Sequence, residues 1–221
     1  VKKVTIASIF NDWFKSVSIL IFDSGVGGLS IFAELQHQLP YASMTYLFDN
    51  QFFPYGELAD EVLISRVCSL IKKAVADFDI QLVVIACNTA STLVLEPLRC
   101  LLSVPVVGVV PAIKPAAMAT KNNCIGLLAT PGTIARPYTD ELVRNFAADK
   151  TVLRIGSSEL VRLAEIKLRQ QPVDLKRIKS ILAPWLMAEL KPDCVVLGCT
   201  HFPLLAAELT QVLGDEIELV D

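Results

Sequence analysis

Two cysteines in this chain sit in motifs that read as copies of one another. Val83-Val84-Ile85-Ala86-Cys87-Asn88-Thr89 and Val195-Val196-Leu197-Gly198-Cys199-Thr200-His201 each pass from an aliphatic run through a small residue to a cysteine, and then to short polar residues. An aliphatic run of this length reads as a buried parallel strand, so each thiol stands where a strand ends. Ligands of open α/β sheets bind at the carboxyl ends of their strands. Two thiols presented this way from two halves of a chain can face each other across one small ligand. The chemistry that suits such a pair is a reaction with two opposed proton-transfer groups. For either cysteine alone, a buried core residue is the plainer reading.

The elements that must carry these thiols alternate. The pattern predicts strands over 18–22, 45–48, 82–86, 106–110, 124–128, 151–155, 194–197 and 218–220. Helices are predicted over 29–38, 60–78, 90–101, 113–120, 135–146, 158–168, 175–190 and 203–213, with Pro97 and Pro184 inside two of them. Phe53-Pro54-Tyr55-Gly56 and Thr130-Pro131-Gly132-Thr133 have loop chemistry. The alternation implies an α/β fold of two similar domains, each a mostly parallel sheet flanked by helices, with the active site in the cleft between them. The first domain is predicted over 18–110 and the second over 111–219, with no low-complexity linker between; residues 1–17 read as an N-terminal extension without an assigned role.

Composition narrows the function classes. The chain has 221 residues, of which 53% are hydrophobic, slightly more than the roughly 45–50% of ordinary globular chains. Its net charge is −3 with the basic residues scattered, which is no electrostatic footprint for nucleic acid. The apolar stretch Val104 to Ile113 is broken by Pro105 and Pro111 and falls short of the ~18 residues a membrane span needs. The cysteines at 68, 87, 100, 124, 194 and 199 include no CxxC pair with metal spacing, so no metal is expected. Most lie in apolar surroundings, which suits a reducing, cytoplasmic setting. The run Val4 to Phe10 follows Lys2 and Lys3 but is ended by Asn11 and Asp12, which reads against a signal peptide.

Four motifs then occur in order: Asp23-Ser24-Gly25-Val26-Gly27-Gly28-Leu29-Ser30, Pro54-Tyr55-Gly56, Ala86-Cys87-Asn88-Thr89-Ala90-Ser91 and Gly198-Cys199-Thr200-His201-Phe202-Pro203-Leu204-Leu205. With them the chain resembles the glutamate racemase family, within the cofactor-independent Asp/Glu racemase superfamily, over residues 18–221. The resemblance implies interconversion of L- and D-glutamate without pyridoxal phosphate, other cofactor or metal, supplying D-glutamate for bacterial peptidoglycan. It implies that Cys87 and Cys199 act as the two bases, one thiolate taking the α-proton and the other thiol returning one to the opposite face. It sets Asp23 beside Cys87, and His201 and Glu165 beside Cys199. Asp23, Ser24, Pro54, Tyr55, Gly56, Asn88, Thr89, Thr130, Thr133, Thr200 and His201 would hold the substrate. The partners implied are glutamate and, commonly, a second copy of the chain, with no nucleic acid and no membrane. In the family pattern the last strand returns to the first domain, which would take residues 220–221 there, and a helix follows.

The residues carry physical readings of their own. Acid and base must be interchangeable in a racemase, so two like groups serve both directions. A free thiol has a pKa of about 8.5, so its neighbours must favour the thiolate. Asp23 or Ser24 can equally serve as a helix cap, Glu165 as an exposed helix carboxylate, and each threonine as a cap or turn residue. An imidazole near a thiol shifts it toward thiolate; the other histidine, His37, reads as a solvated surface residue. The glycines at 25, 27 and 28 form neither GxGxxG nor a phosphate loop with its lysine. No Arg or Lys lies within these motifs. Carboxylate binding therefore falls to backbone N–H groups at Tyr55, Gly56 and helix N-termini. Three rival readings stand beside this one: an aspartate racemase, a catalytically silent amino-acid-binding protein, and a redox dithiol. The last needs Cα atoms within ~7 Å.

Overall fold

The computed structural model describes residues 17–221; the expectation for the N-terminal extension falls, but for Val17, outside the described residues. Among the described residues two parallel sheets of four strands are formed. The first contains β1 (Ser18–Asp23), β2 (Ser43–Phe48), β3 (Leu82–Ile85) and β4 (Val106–Gly108) in the order β2-β1-β3-β4. The second contains β5 (Cys124–Ala129), β6 (Thr151–Gly156), β7 (Cys194–Gly198) and β8 (Glu218–Val220) in the order β6-β5-β7-β8. The two orders are the same, so β1 and β3 correspond to β5 and β7. These four are the central strands of their sheets. Their near-unbroken aliphatic sequences follow from burial on both faces.

In the first unit the helices are α1 (Leu29–Gln38), α2 (Asp60–Asp77) and α3 (Asn88–Leu101). Leu63, Val67, Ile71 and Ala74 form the buried stripe of α2, the spacing that turns one helical face to a sheet. Complete burial of such a side chain contributes roughly 1.5–3 kcal/mol. The second unit carries α4 (Ile113–Ala119), α5 (Pro131–Ala135), α6 (Pro137–Phe146), α7 (Glu159–Leu168), α8 (Leu175–Leu186) and α9 (Ala206–Leu213). Trp185 of α8 packs against the sheet at Gly126, where a Cβ would come within 2.8 Å of the indole. Ile113, Ile125, Leu127 and Val196 lie in one buried cluster of this unit.

Several boundaries differ from expectation, each for a local reason. Thr130 caps α5, its hydroxyl accepting from the Thr133 N–H at 3.3 Å, and Pro131 occupies the first helical position. Thr130-Pro131-Gly132-Thr133 is therefore the start of a short helix. Tyr55–Glu57 forms a 3₁₀ turn inside the expected loop, and Phe202–Leu205 another ahead of α9. Helix α8 ends at Leu186 rather than 190. The Met187 N–H closes its last turn on the Ala183 carbonyl.

The chain divides into two compact units, one of the described residues up to Phe53 with Ala59–Val109, the other of Pro54–Leu58 with Val110–Asp221. Pro54–Leu58 sits with the second unit because Gly56 packs on Thr130, where a Cβ on Gly56 would come within 2.5 Å of the Thr130 Cβ. Residues 220–221, expected with the first domain, also lie in the second unit. There β8 pairs along β7, Glu218 opposite Cys194 and Val220 opposite Val196.

Candidate active site

In the first unit the carboxyl ends of β1 and β3 are neighbours: Phe22 pairs with Ile85, and the Ala86 N–H donates to the Phe22 carbonyl at 2.7 Å. That register sets Asp23 and Ser24 beside Cys87. The Cys87 thiol donates to the Ser24 hydroxyl at 3.7 Å, while its sulfur caps α3 by accepting from the Ala90 N–H at 3.5 Å. Asp23 is fully buried; its Oδ1 accepts from the Gly25 N–H at 2.8 Å and from the Ser24 hydroxyl at 3.3 Å. Burial, and after it the Asp23 carboxylate, pushes the Cys87 thiol up to about 11, against the smaller opposing effect of the Ala90 and Ser24 hydrogen bonds. The neighbours thus keep Cys87 protonated at rest, where the sequence led us to expect help toward thiolate.

Asn88 and Thr89 follow in the first turn of α3 and are buried. The Asn88 Oδ1 is a buried acceptor without a hydrogen-bond partner. An unmet acceptor costs about 1–3 kcal/mol, which an incoming donor such as an ammonium group would recover. Gly28 closes this half-site from behind: a Cβ there would stand 2.9 Å from Asp23 Oδ2 and from the Tyr46 hydroxyl. Only a glycine lets the turn pass so near the carboxylate. Tyr46 in turn donates to the Gly25 carbonyl at 2.8 Å, a bracing contact that no motif announces.

The second unit repeats the placement. Ala129 pairs with Gly198 at the ends of β5 and β7, so Thr130 and Cys199 each stand one residue beyond a paired strand end. Cys199 and Thr200 are buried. His201 is 1% exposed, and its Nε2 lies 3.0 Å from Glu165 Oε1. Glu165 projects from α7, and Arg169 one turn later lies 3.7 Å from its second oxygen. The helix carboxylate expected from the sequence is therefore paired with the histidine that follows the cysteine. Thr130 and Thr133 share a hydroxyl–hydroxyl bond of 3.0 Å. The buried Thr139 hydroxyl donates to the Thr133 carbonyl at 2.6 Å. Thr139 carries no sequence signal, because only the bend between α5 and α6 brings it there.

Tyr55 and Gly56 are buried and Pro54 half-buried, and this turn is held by Arg162 of α7, which donates to Glu57 at 2.6 Å. That pair is exposed and adds little stability; it fixes the position of the turn. Gly132 faces Gly56 across α5, with room for a Cβ only at 3.2 Å from the Gly56 carbonyl. Asp23, Ser24 and Cys87 thus meet in the first unit, with Asn88 and Thr89 at the start of the helix that follows. Gly56, Thr130 and Thr133 form one group in the second unit, and Glu165 with His201 another, next to Cys199 and Thr200 along the chain. No group of three or more His, Cys, Asp or Glu able to hold a metal ion occurs among the described residues. No helix among them is long and apolar enough to cross a membrane.

Comparison with known proteins agrees on one family. The model of the Asp/Glu/hydantoin racemase family matches residues 30–221. A glutamate racemase of Vibrio vulnificus is 56% identical over 204 residues, 92% of this chain and 76% of that one. A glutamate racemase of Shewanella loihica is 54% identical over 206 residues, 93% of this chain and 77% of its own. The crystal structure of Escherichia coli glutamate racemase, in complex with L-glutamate and the activator UDP-MurNAc-Ala, superposes with a TM-score of 0.89. It is 50% identical and covers 93% of this chain and 77% of that one.

Proposed function

The chain belongs to the Asp/Glu/hydantoin racemase family and is an amino-acid racemase, and from that premise we propose that it interconverts L- and D-glutamate by a two-cysteine, cofactor-independent proton transfer at Cα. The observation that carries this reading is the topological equivalence of the two thiols. Cys87 leaves the third strand of β2-β1-β3-β4 and Cys199 the third strand of β6-β5-β7-β8. Two like acids at like places suit a reaction that must run equally in both directions.

In this mechanism one cysteine, as thiolate, takes the α-proton: the Cα–H bond breaks, an S–H bond forms, and the electron pair passes into the α-carboxylate. The other cysteine, as thiol, gives its proton to the opposite face of Cα and is left as thiolate. The reverse reaction exchanges the roles. Asp23 assists at Cys87, and the Glu165–His201 pair at Cys199. Backbone N–H groups of Tyr55 and Gly56, with the hydroxyls of Ser24, Thr89, Thr130, Thr133 and Thr200, hold the carboxylates, and Asn88 Oδ1 takes the ammonium. Negative charge developing on the carboxylate is stabilised where donors already point at it.

The product D-glutamate would feed bacterial peptidoglycan synthesis, a role supported by the bacterial sources of the similar racemases. A cytoplasmic setting suits six cysteines of which none is joined in a disulfide. A homodimer is part of the same reading, and sedimentation velocity tests it. The function itself is tested by offering L-glutamate and L-aspartate separately, without cofactor, and following optical rotation. Loss of rotation with glutamate alone supports the proposal. Turnover of aspartate alone, or of neither, contradicts it.

A further inference from the structure

Arg66, on α2, belongs to none of the residues assigned above. Its guanidinium makes a two-pronged ion pair with Asp49, Nε to Oδ2 at 2.8 Å and Nη2 to Oδ1 at 2.9 Å. The same Nη2 donates to Gln51 Oε1 at 3.3 Å, and the guanidinium carbon stands 4.7 Å from the centre of the Phe52 ring. One side chain therefore grips three residues of the segment that leaves β2. Asp49 is 3% exposed, and its backbone N–H donates to the Asp23 carbonyl at 3.3 Å. Asp23 is the carboxylate that acts on Cys87.

We propose that Arg66 is a positioning residue of the Cys87 half-site: by clamping Asp49 to Phe52 it holds the end of β1, and with it Asp23, in the geometry that proton transfer needs. The inference rests on the racemase reading above. A planar fork that matches both carboxylate oxygens fixes direction as well as distance, which a lysine ammonium does not do. Removing one partner of a buried ion pair is destabilising, and the Asp49 backbone N–H passes a shift of Asp49 on to the Asp23 carbonyl. Small displacements of a catalytic group are costly, on the order of a hundredfold per ångström.

Arg66 also lines an open hollow of about 490 Å³ beside Phe52, Ser65 and Ser69, so a small cation can enter the space that a truncated side chain leaves. The experiment is Cα-proton exchange of L-glutamate in heavy water by the wild-type chain and by Arg66→Ala. The variant is expected to lose kcat by about tenfold or more. Guanidinium ion at sub-denaturing concentration should restore severalfold, while methylammonium, which cannot span two oxygens, should not. Undiminished kcat in Arg66→Ala overturns the proposal. So does a loss that guanidinium does not recover, since that marks a merely structural residue. If Arg66→Ala does not fold, Arg66→Lys carries the test: lowered kcat with unchanged KM supports positioning, and wild-type kcat overturns it. A wild-type chain that exchanges no proton removes the racemase reading, and this inference falls with it.

Discussion

The Cys87 thiol donates to the Ser24 hydroxyl at 3.7 Å, and that hydroxyl in turn donates to the fully buried Asp23 carboxylate at 3.3 Å. The thiol thus sits at the end of a short chain of hydrogen bonds that terminates in a negative charge. Burial and that charge together push its pKa up to about 11. The free enzyme therefore holds Cys87 as a neutral thiol. Alkylation by iodoacetamide is expected to show Cys87 reacting with an apparent pKa near 11; titration in the range of an ordinary exposed thiol would contradict the arrangement.

The same shift has a stability consequence. A thiol pKa raised from 9.0 to about 11 favours the protonated folded state, so its contribution is complete below pH 9 and is lost as pH rises through 11. Cys194, buried in β7, is pushed up to about 11 as well, chiefly by burial. Denaturant midpoints are expected to fall between pH 9 and pH 11. Cys87→Ser is expected to flatten part of that fall.

Replacing either Cys87 or Cys199 by Ala is expected to abolish racemisation, by about a thousandfold or more, while circular dichroism and thermal midpoint stay near wild type. Cys100→Ala, at an exposed position, serves as the control and is expected to be fully active. Full turnover in either of the first two variants contradicts the two-base mechanism.

Glu165 stands 3.0 Å from the buried His201 ring. Glu165→Gln keeps the shape of the pair but removes its charge. The expected result is a fall in kcat of about tenfold, as a charge-assisted hydrogen bond becomes a neutral one, with little change in unfolding midpoint. Steady-state kinetics beside a thermal melt checks both.

Gly56→Ala places a Cβ 2.5 Å from the Thr130 Cβ, closer than carbon atoms approach. Overpacking of this kind costs about 1–3 kcal/mol. Because the turn and Thr130 are both assigned to substrate, KM for glutamate is expected to rise along with the loss of stability.

What the sequence made legible was what short-range pattern controls. Val83 to Ile85 and Val195 to Leu197 announce buried central strands because nothing but aliphatic side chains suits both faces of such a sheet. The meeting of Asp23, Ser24 and Cys87 then follows from β1 and β3 being neighbours. What was illegible depends on contacts between distant parts of the chain. Tyr55 and Gly56 join the second unit through packing on Thr130, which no local composition encodes. The pairing of β8 with β7 is set by the sheet rather than by the three residues Glu218–Val220. Only the family resemblance singled out Glu165 as a partner of the Cys199 half-site, and no motif singles out Arg66, whose contacts lie 14 to 17 residues away along the chain.

Two-cysteine racemisation is tested most simply by a single incubation of the chain with L-glutamate in heavy water, without added cofactor. The Cα proton signal is followed by NMR and optical rotation in parallel, with Cys87→Ala and Cys199→Ala beside it. Wild type is expected to lose both signals, and neither variant to reach racemic glutamate. Retention of both signals by the wild-type chain, or racemisation by either variant, would contradict the two-cysteine mechanism.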